Sequence, residues 1–227
     1  MLQYKNLTVI GTSHIAQQSV DEVKSAIEKA LPDIIALELD VKRASALMHR
    51  VKHRFGLRDI RKVGLKGFLF ALIASWVEEK LGAKVGVKPG SEMKTAIDLA
   101  RQKKIMLAFI DQDIEVTLKK LSKAFGWREK WSLVKDIFRM VVFRKSDIFF
   151  DLRKVPGKNI VKELTSKVKE SYPKVYRVLV AERNVFMAKR LVEIMQSYPD
   201  KRIVAVIGAG HEDEILKIIG HQKLFIS

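Results

Sequence analysis

The sequence predicts an α/β fold with a central, mainly parallel sheet, crossover helices and two large helical insertions. Four short apolar runs, each bounded by turn or polar residues, are typical of buried strands. They cover residues 7–11, 34–39, 105–110 and 203–208. Helical patterns separate these runs, and alternating strands and helices favour parallel pairing. With 227 residues and 48% hydrophobic content, we predict one α/β domain over residues 1–227.

The connecting helices follow from apolar spacing and from breaking residues. Residues 19–31 have apolar side chains at helical spacing, and the pattern ends before Pro32. Residues 91–103 form a second helix, for which we expect Ser91 to be the N-cap.

The two expected insertions are helical stretches at about 41–82 and 113–198. Prolines predict breaks in the second insertion near residues 156–157 and at Pro173.

Composition limits the kinds of site that the chain can hold and indicates its cellular location. The chain has no cysteine, which excludes disulfides, thiolate metal sites and a cysteine nucleophile. Metal ligands would therefore be His, Asp or Glu. No secretory signal is apparent, and the longest apolar run, residues 68–77, is about half of the ~20 residues that span a bilayer. We expect a cytoplasmic, soluble domain, with membrane association in a full-length form through a segment absent from this chain.

The net charge of +17 is concentrated between Lys42 and Lys66, where nine Lys and Arg residues accompany one acid, Asp59. Such a stretch could bind nucleic acid or an anionic membrane surface. It could equally be a solvated helix face. Charge alone leaves the two interpretations open.

Reactive or turn-forming residues follow every predicted strand. They are Gly11-Thr12-Ser13-His14, Glu38-Leu39-Asp40, Asp111-Gln112-Asp113 and Gly208-Ala209-Gly210-His211. Open parallel sheets bind ligands beyond the carboxyl ends of their strands, so these groups are expected to converge at one edge.

Two of these turns share the pattern Gly-x-x-His. Glycine permits a sharp turn, and the amides that follow can bind an anion or an oxyanion. His14 and His211 could bind a metal or transfer a proton, or they could simply cap helices. The motifs of P-loop, dinucleotide-binding and serine-hydrolase sites do not occur, so kinase, hydride-transfer and serine-esterase functions have no support.

The candidate carboxylates each have a structural alternative. Glu38, at a strand end, needs a partner such as Arg43, Arg183 or a metal, because an unpaired buried charge is costly. It could be the acid of a structural salt bridge. Glu92 could be catalytic or could only complement a helix dipole. Asp111 and Asp113 precede a predicted helix, and either could be only an N-cap.

Polar residues also interrupt an apolar helical stripe late in the chain. Glu182, Arg183 and Asn184 lie among apolar positions at helical spacing. This pattern indicates a buried polar network.

Six segments resemble, in order, the motifs of the TraB (pheromone-shutdown) family. They are GTSHIAQQSVDEV (11–23), PDIIALELDVKR (32–43), GVKPGSEMKTAI (86–97), IDQDIEVTLKK (110–120), ERNVFMAKRL (182–191) and VAVIGAGHEDEI (204–215). The resemblance places the chain in a wider group with the Tiki proteins, described as metal-dependent proteases, and more distantly with ChaN and erythromycin-esterase-like proteins.

The resemblance implies roles for these residues. His14, His211 and Glu38 would hold a divalent ion (Mn, Co or Zn), Glu38 or Glu92 would be the general base, and Arg183 or Arg43 would stabilise the oxyanion. Further residues would line the site: Gly11, Thr12, Asp40, Asp111, Glu182, Asn184, Gly208 and Gly210. The sequence departs from the family pattern at Gln112, where Arg is usual, at Asn184, where Asp is common, and at Glu214, where Gly is usual.

The function expected from the residues and the resemblance is a metal-dependent, peptidase-like hydrolase acting on peptide or small signalling ligands. One alternative is a non-catalytic peptide- or pheromone-binding inhibitor of signalling. A third is a basic module for nucleic acid or anionic membranes, which ranks last because the family motifs lie outside the basic stretch. The helical insertions could support a homodimer.

Overall fold

A five-stranded sheet forms the centre of the part of the chain that the computed structural model describes, residues 2–12, 17–49, 90–124 and 158–221. The strands are β1 (Leu2–Tyr4), β2 (Leu7–Thr12), β3 (Ile34–Leu37), β4 (Met106–Phe109) and β5 (Ile203–Gly208). Their order is β1-β2-β5-β3-β4. Only β1 is antiparallel to its neighbour, and the other pairs are parallel. The prediction of a mainly parallel sheet is confirmed.

The strand bounds differ from the predicted ones in ways that matter for the site. Strand β5 is as predicted, but β3 ends at Leu37, so Glu38 lies just beyond the strand. Strand β1 was not predicted, because three residues are too few for a pattern. The Asn6 amide fixes the turn after β1 by donating to the carbonyls of Tyr198, Pro199 and Lys201.

Eight α-helices and one π-helical turn occur in the described residues. They are α1 (Gln17–Ala30), α2 (Val41–His49), α3 (Ser91–Gln102), α4 (Ile114–Ala124), α5 (Lys158–Ser171), α6 (Pro173–Tyr176), the π-helical turn (Arg177–Ala181), α7 (Glu182–Ser197) and α8 (Glu212–His221). The expected N-cap Ser91 is wrong: Gly90 holds that position with a left-handed φ of 78°, which glycine adopts readily, and Ser91 is the first helical residue.

The two predicted insertions are described in part. Helix α2 begins the first one, and residues 50–82 lie outside the described residues. In the second, α4 to α7 are helical, while residues 125–157 lie outside, with the predicted break near 156–157. The chain breaks as expected between α5 and α6, where Tyr172 precedes Pro173 with φ −136° and ψ 63°. A single domain over 1–227 stays a prediction.

Helices cover both faces of the sheet. Helices α7 and α8 pack on one face through Met187, Leu191 and Ile215, all fully buried. Helices α1 and α3 pack on the other through Ile27 and Ile97. Each such side chain contributes roughly 1.5–3 kcal/mol by burial. The strands are thus fixed along their length, and helices α2, α4 and α8 begin at the edge where β3, β4 and β5 end. No helix in the described ranges is both long and apolar enough to cross a membrane.

Candidate functional site at the carboxyl edge of the sheet

Arg183 lies at the centre of a polar cluster beyond the strand ends. Its Nε and Nη2 donate to the two oxygens of Asp111, at 2.9 and 2.8 Å. Nη2 also donates to Glu38 Oε1 at 2.6 Å. Nη1 donates to the Leu179 carbonyl at 3.0 Å and lies 3.5 Å from Nε2 of His211. A guanidinium has five N–H groups, and four hydrogen bonds from Arg183 end on Asp111, Glu38 and the Leu179 carbonyl.

The two carboxylates hold Arg183 in its charged form. Burial alone would lower the pKa of Arg183, but the negative charges of Glu38 and Asp111 outweigh it, and the pKa lies above its ordinary value. Arg43 adds a second cation, whose Nη1 donates to Asp111 Oδ2 at 3.2 Å. Two acids and two guanidinium groups therefore balance each other at this edge, consistent with the rule that buried charges are paired.

Glu38 is positioned by the neighbouring strand. Because β3 pairs with β5, the residue after β3 lies beside the end of β5. The backbone N–H of Gly208 donates to Glu38 Oε2 at 2.6 Å. Both oxygens of Glu38 are thus held, one by the sheet and one by Arg183.

His211 is oriented by an amide. Its Nδ1 lies 2.5 Å from Oδ1 of Asn184, which is fully buried. The Asn184 Nδ2 donates to Glu214 Oε2 at 2.8 Å, which places the amide oxygen toward the imidazole. The network therefore assigns the proton to Nδ1 and leaves the Nε2 lone pair 3.4 Å from Glu38 Oε1.

Asp40 and Asp113, unlike Asp111, are helix caps. Asp40 Oδ1 accepts from the amides of Lys42 and Arg43 at 2.8 and 3.0 Å, at the start of α2. Its Oδ2 is buried without a hydrogen-bond partner within the described residues. Asp113 accepts from the amide of residue 115 at the start of α4. Asp111 pairs with arginines instead, so its cap interpretation is wrong.

The first turn comes close to the last one. Thr12 Oγ1 donates to the Ile207 carbonyl at 3.3 Å, and Gly11 leaves room for the Glu212 carboxylate. A Cβ added at Gly11 would lie 2.3 Å from Glu212 Oε2. Gly210 is half-buried in the turn before α8.

Three predicted site residues contribute none of the contacts described above. Glu92 is buried in the first turn of α3, and its part in the site stays a prediction. Glu182 is paired at the surface with Lys120 at 2.8 Å and Arg177 at 3.6 Å. His14 lies outside the described residues.

Sequence reasoning missed three residues near the cluster, Tyr176, Glu212 and Glu214. Glu212 is buried at the start of α8. Tyr176 O–H donates to Glu214 Oε2 at 2.8 Å. A signal existed for the two acids, since both lie within three residues after His211, but a helix dipole explains acids there equally well.

The donor set does not fit a metal ion on the described residues alone. Those residues hold no group of three His, Asp or Glu side chains arranged to bind a metal. The two nearest ligand atoms, His211 Nε2 and Glu38 Oε1, both lie within 3.5 Å of the Arg183 guanidinium. A divalent ion between them would meet a fixed positive charge. The metal predicted with His14 stays untested.

The basic stretch is partly neutralised where it begins. Lys42 Nζ lies 2.9 Å from Asp113 Oδ2 and 2.7 Å from Glu115 Oε1, and these hydrogen bonds raise the Lys42 pKa. Arg43 is paired with Asp111. The residues from 50 to 66 lie outside the described part.

Comparison with known proteins agrees with this arrangement of motifs. The TraB/PrgY/gumN family matches residues 3–215. The chain belongs to this family. It is 35% identical over 220 residues to an uncharacterised protein of Methanocaldococcus jannaschii, covering 94% of this chain and 53% of that protein.

TraB domain-containing proteins of Mus musculus and Bos taurus are 24% and 26% identical to it over 235 residues. These matches cover 92% of this chain and 61% of each relative. The chain therefore spans little more than half the length of the curated relatives it matches.

The three residues expected to depart from the TraB pattern make defined hydrogen bonds in the structure. Asn184 and Glu214 are bonded to each other, so the two departures form one pair. Gln112 is buried and donates from Nε2 to Thr117 Oγ1 at 2.8 Å, while its Oε1 accepts from Lys120 Nζ at 3.2 Å. A neutral amide therefore lies beside Asp111, whose charge Arg183 and Arg43 compensate.

Proposed function

We propose that this TraB-family chain is a hydrolase of peptides or small peptide-like signalling ligands, with His211 as general base and Glu38 as its charge partner. The observation that carries the proposal is the 3.4 Å approach of His211 Nε2 to Glu38 Oε1 at the sheet edge. A proton taken up at Nε2 would lie next to the negative charge of Glu38, which favours His211 as a general base.

In the proposed reaction, one proton moves from the attacking water to His211 and then to the leaving amine. His211 Nε2 takes a proton from water as the water oxygen attacks the substrate carbonyl. The imidazolium then lies beside Glu38, whose charge stabilises it. As the C–N bond breaks, His211 returns the proton to the leaving amine. General acid–base catalysis of this kind contributes about 10²–10⁴-fold in rate.

The two arginines have different roles in this proposal. Arg183 is buried and makes four hydrogen bonds within the protein, so its role in this proposal is to position Glu38. Arg43 is bonded to Asp111 by one nitrogen, and its side chain is 44% exposed. Of the two, Arg43 is therefore the candidate to stabilise an oxyanion or to hold a substrate carboxylate.

No step of this reaction is routed through a metal. The resemblance implies Mn, Co or Zn, and a site containing His14 would supply Lewis acid chemistry. The described residues support a proton-transfer route without it.

The experiment is a peptide-library digestion read by mass spectrometry with matched histidine variants. Wild type and H221N, which changes an exposed histidine at the end of α8, are expected to cleave the same peptides. H211N is expected to lose about 10²–10⁴-fold in rate. Equal cleavage by H211N would overturn the proposal. Saturable binding without cleavage in the wild type would favour the inhibitor alternative.

A further inference from the structure

We propose that Glu214, held by Tyr176, is a positioning residue that fixes the tautomer of His211 through Asn184. The inference deepens the proposed function, because it explains why the Nε2 lone pair faces Glu38. The chain of hydrogen bonds joins three helical segments, since Tyr176 ends α6, Asn184 lies in α7 and Glu214 in α8.

The direction of each hydrogen bond follows from what each group can donate. An ionised carboxylate only accepts, so Glu214 Oε2 accepts from both Tyr176 O–H and Asn184 Nδ2, each at 2.8 Å. The Asn184 amide is then turned with Oδ1 toward the imidazole. Oδ1 only accepts, so Nδ1 of His211 must carry the proton.

Two further groups contact the other ring nitrogen of His211 at longer distances. Nε2 of His211 lies 3.4 Å from an acceptor, Glu38 Oε1, and 3.5 Å from a donor, Arg183 Nη1. These two neighbours favour opposite states of Nε2, and both distances are longer than the 2.5 Å contact at Nδ1. The Asn184 contact therefore decides the tautomer, and Glu214 decides the orientation of Asn184.

Tyr176 holds Glu214 in place because its O–H group always donates to the carboxylate. Partial burial and the hydrogen bond to Glu214 raise the Tyr176 pKa to about 12, so the phenol stays protonated at neutral pH. Tyr176 precedes the π-helical turn, and such turns often occur at functional sites. The turn also presents the Leu179 carbonyl that binds Arg183.

The position between His211 and Glu214 requires an amide. Asparagine donates with Nδ2 on one side and accepts with Oδ1 on the other. An aspartate at 184 would place a second carboxylate against that of Glu214, with no proton between them. Asn184 and Glu214 are therefore complementary in this chain.

The test is ¹⁵N NMR of the histidine rings, which reports the tautomer and needs no substrate. The chain has five histidines, and the signals of His211 are those missing from H211N. In wild type we expect a protonated Nδ1 and an unprotonated Nε2 at a pH where the ring is neutral. In E214L we expect a mixture of tautomers, because Asn184 is free to turn over, so the two nitrogen signals move toward each other.

E214Q is the matched control. Its Oε1 can still accept from Tyr176 and Asn184, so the wild-type tautomer is expected to persist. An E214L spectrum identical to wild type would overturn the proposal. The wild-type spectrum reports the tautomer without any variant. A wild-type His211 with its proton on Nε2 would therefore also overturn the proposal, even if E214L did not fold. A wild type with the expected tautomer but no hydrolysis would refute the proposed function and leave this inference standing.

Discussion

Removing the central guanidinium should destabilise the fold strongly. Arg183→Met keeps an apolar stem of similar length but removes three N–H bonds to carboxylates. The side chains of Arg183, Glu38 and Asp111 are only 16, 7 and 2% exposed, so solvent cannot replace the lost charge. Breaking a buried pair by removing one partner costs about 3–5 kcal/mol. For a chain of this size that corresponds to a fall in Tm of roughly 6–20 °C.

The assay is unfolding by guanidinium chloride, followed by circular dichroism, with Arg190→Met as the matched control. Arg190 lies in the same helix and pairs with Glu193, but both side chains are about half exposed, so we expect a loss of about 0–1 kcal/mol. Adding E38Q and D111N to R183M removes the two uncompensated negative charges. The triple variant should therefore recover part of the lost free energy of unfolding. Equal stability of R183M and R190M would refute the argument that Arg183 compensates two buried charges.

Three further predictions concern packing, pH and metal. Gly11→Ala should lower the free energy of unfolding by about 1–3 kcal/mol, since its Cβ would meet Glu212. Gly220→Ala in α8 has open space around its Cβ and should raise the free energy of unfolding by up to about 1 kcal/mol. Equal effects of the two variants in thermal unfolding would refute the close approach of Gly11 to Glu212. The raised Tyr176 pKa means that the folded state binds this proton more tightly than the unfolded state, so its contribution is complete below pH 10 and is lost as pH rises toward 12. Wild type should lose stability over that window more steeply than Tyr176→Phe, and parallel unfolding curves would contradict the hydrogen bond to Glu214. Treatment with a chelator should leave the proposed hydrolysis unchanged, and a loss restored by Mn, Co or Zn would return the metal to the mechanism.

Most of the sheet and part of the site could be predicted from the sequence, because both depend on local pattern. Apolar runs predicted the parallel strands, and their polar ends identified Glu38, Asp111 and His211, which the structure brings together. Strand β1 escaped prediction because its pairing depends on the turn at Asn6, fixed by carbonyls almost 200 residues away.

The partners of the site residues could not be predicted, because they are set by tertiary packing. Glu92 was expected at a helix start and lies in the first turn of α3, but its local sequence does not predict which side chains it contacts. Glu214 holds Asn184 because α7 and α8 pack side by side. Sequence spacing places a residue at an edge of the sheet, whereas packing decides which side chains meet there.

A double-mutant cycle in turnover tests most directly whether Glu38 and His211 form one reacting centre. E38Q, H211N and the double variant would be compared with wild type on a peptide that the library assay identifies. If the two groups act as a unit, the rate of the double variant should be no lower than that of the less active single variant. Losses that multiply would show that the two residues act independently, which contradicts the shared centre.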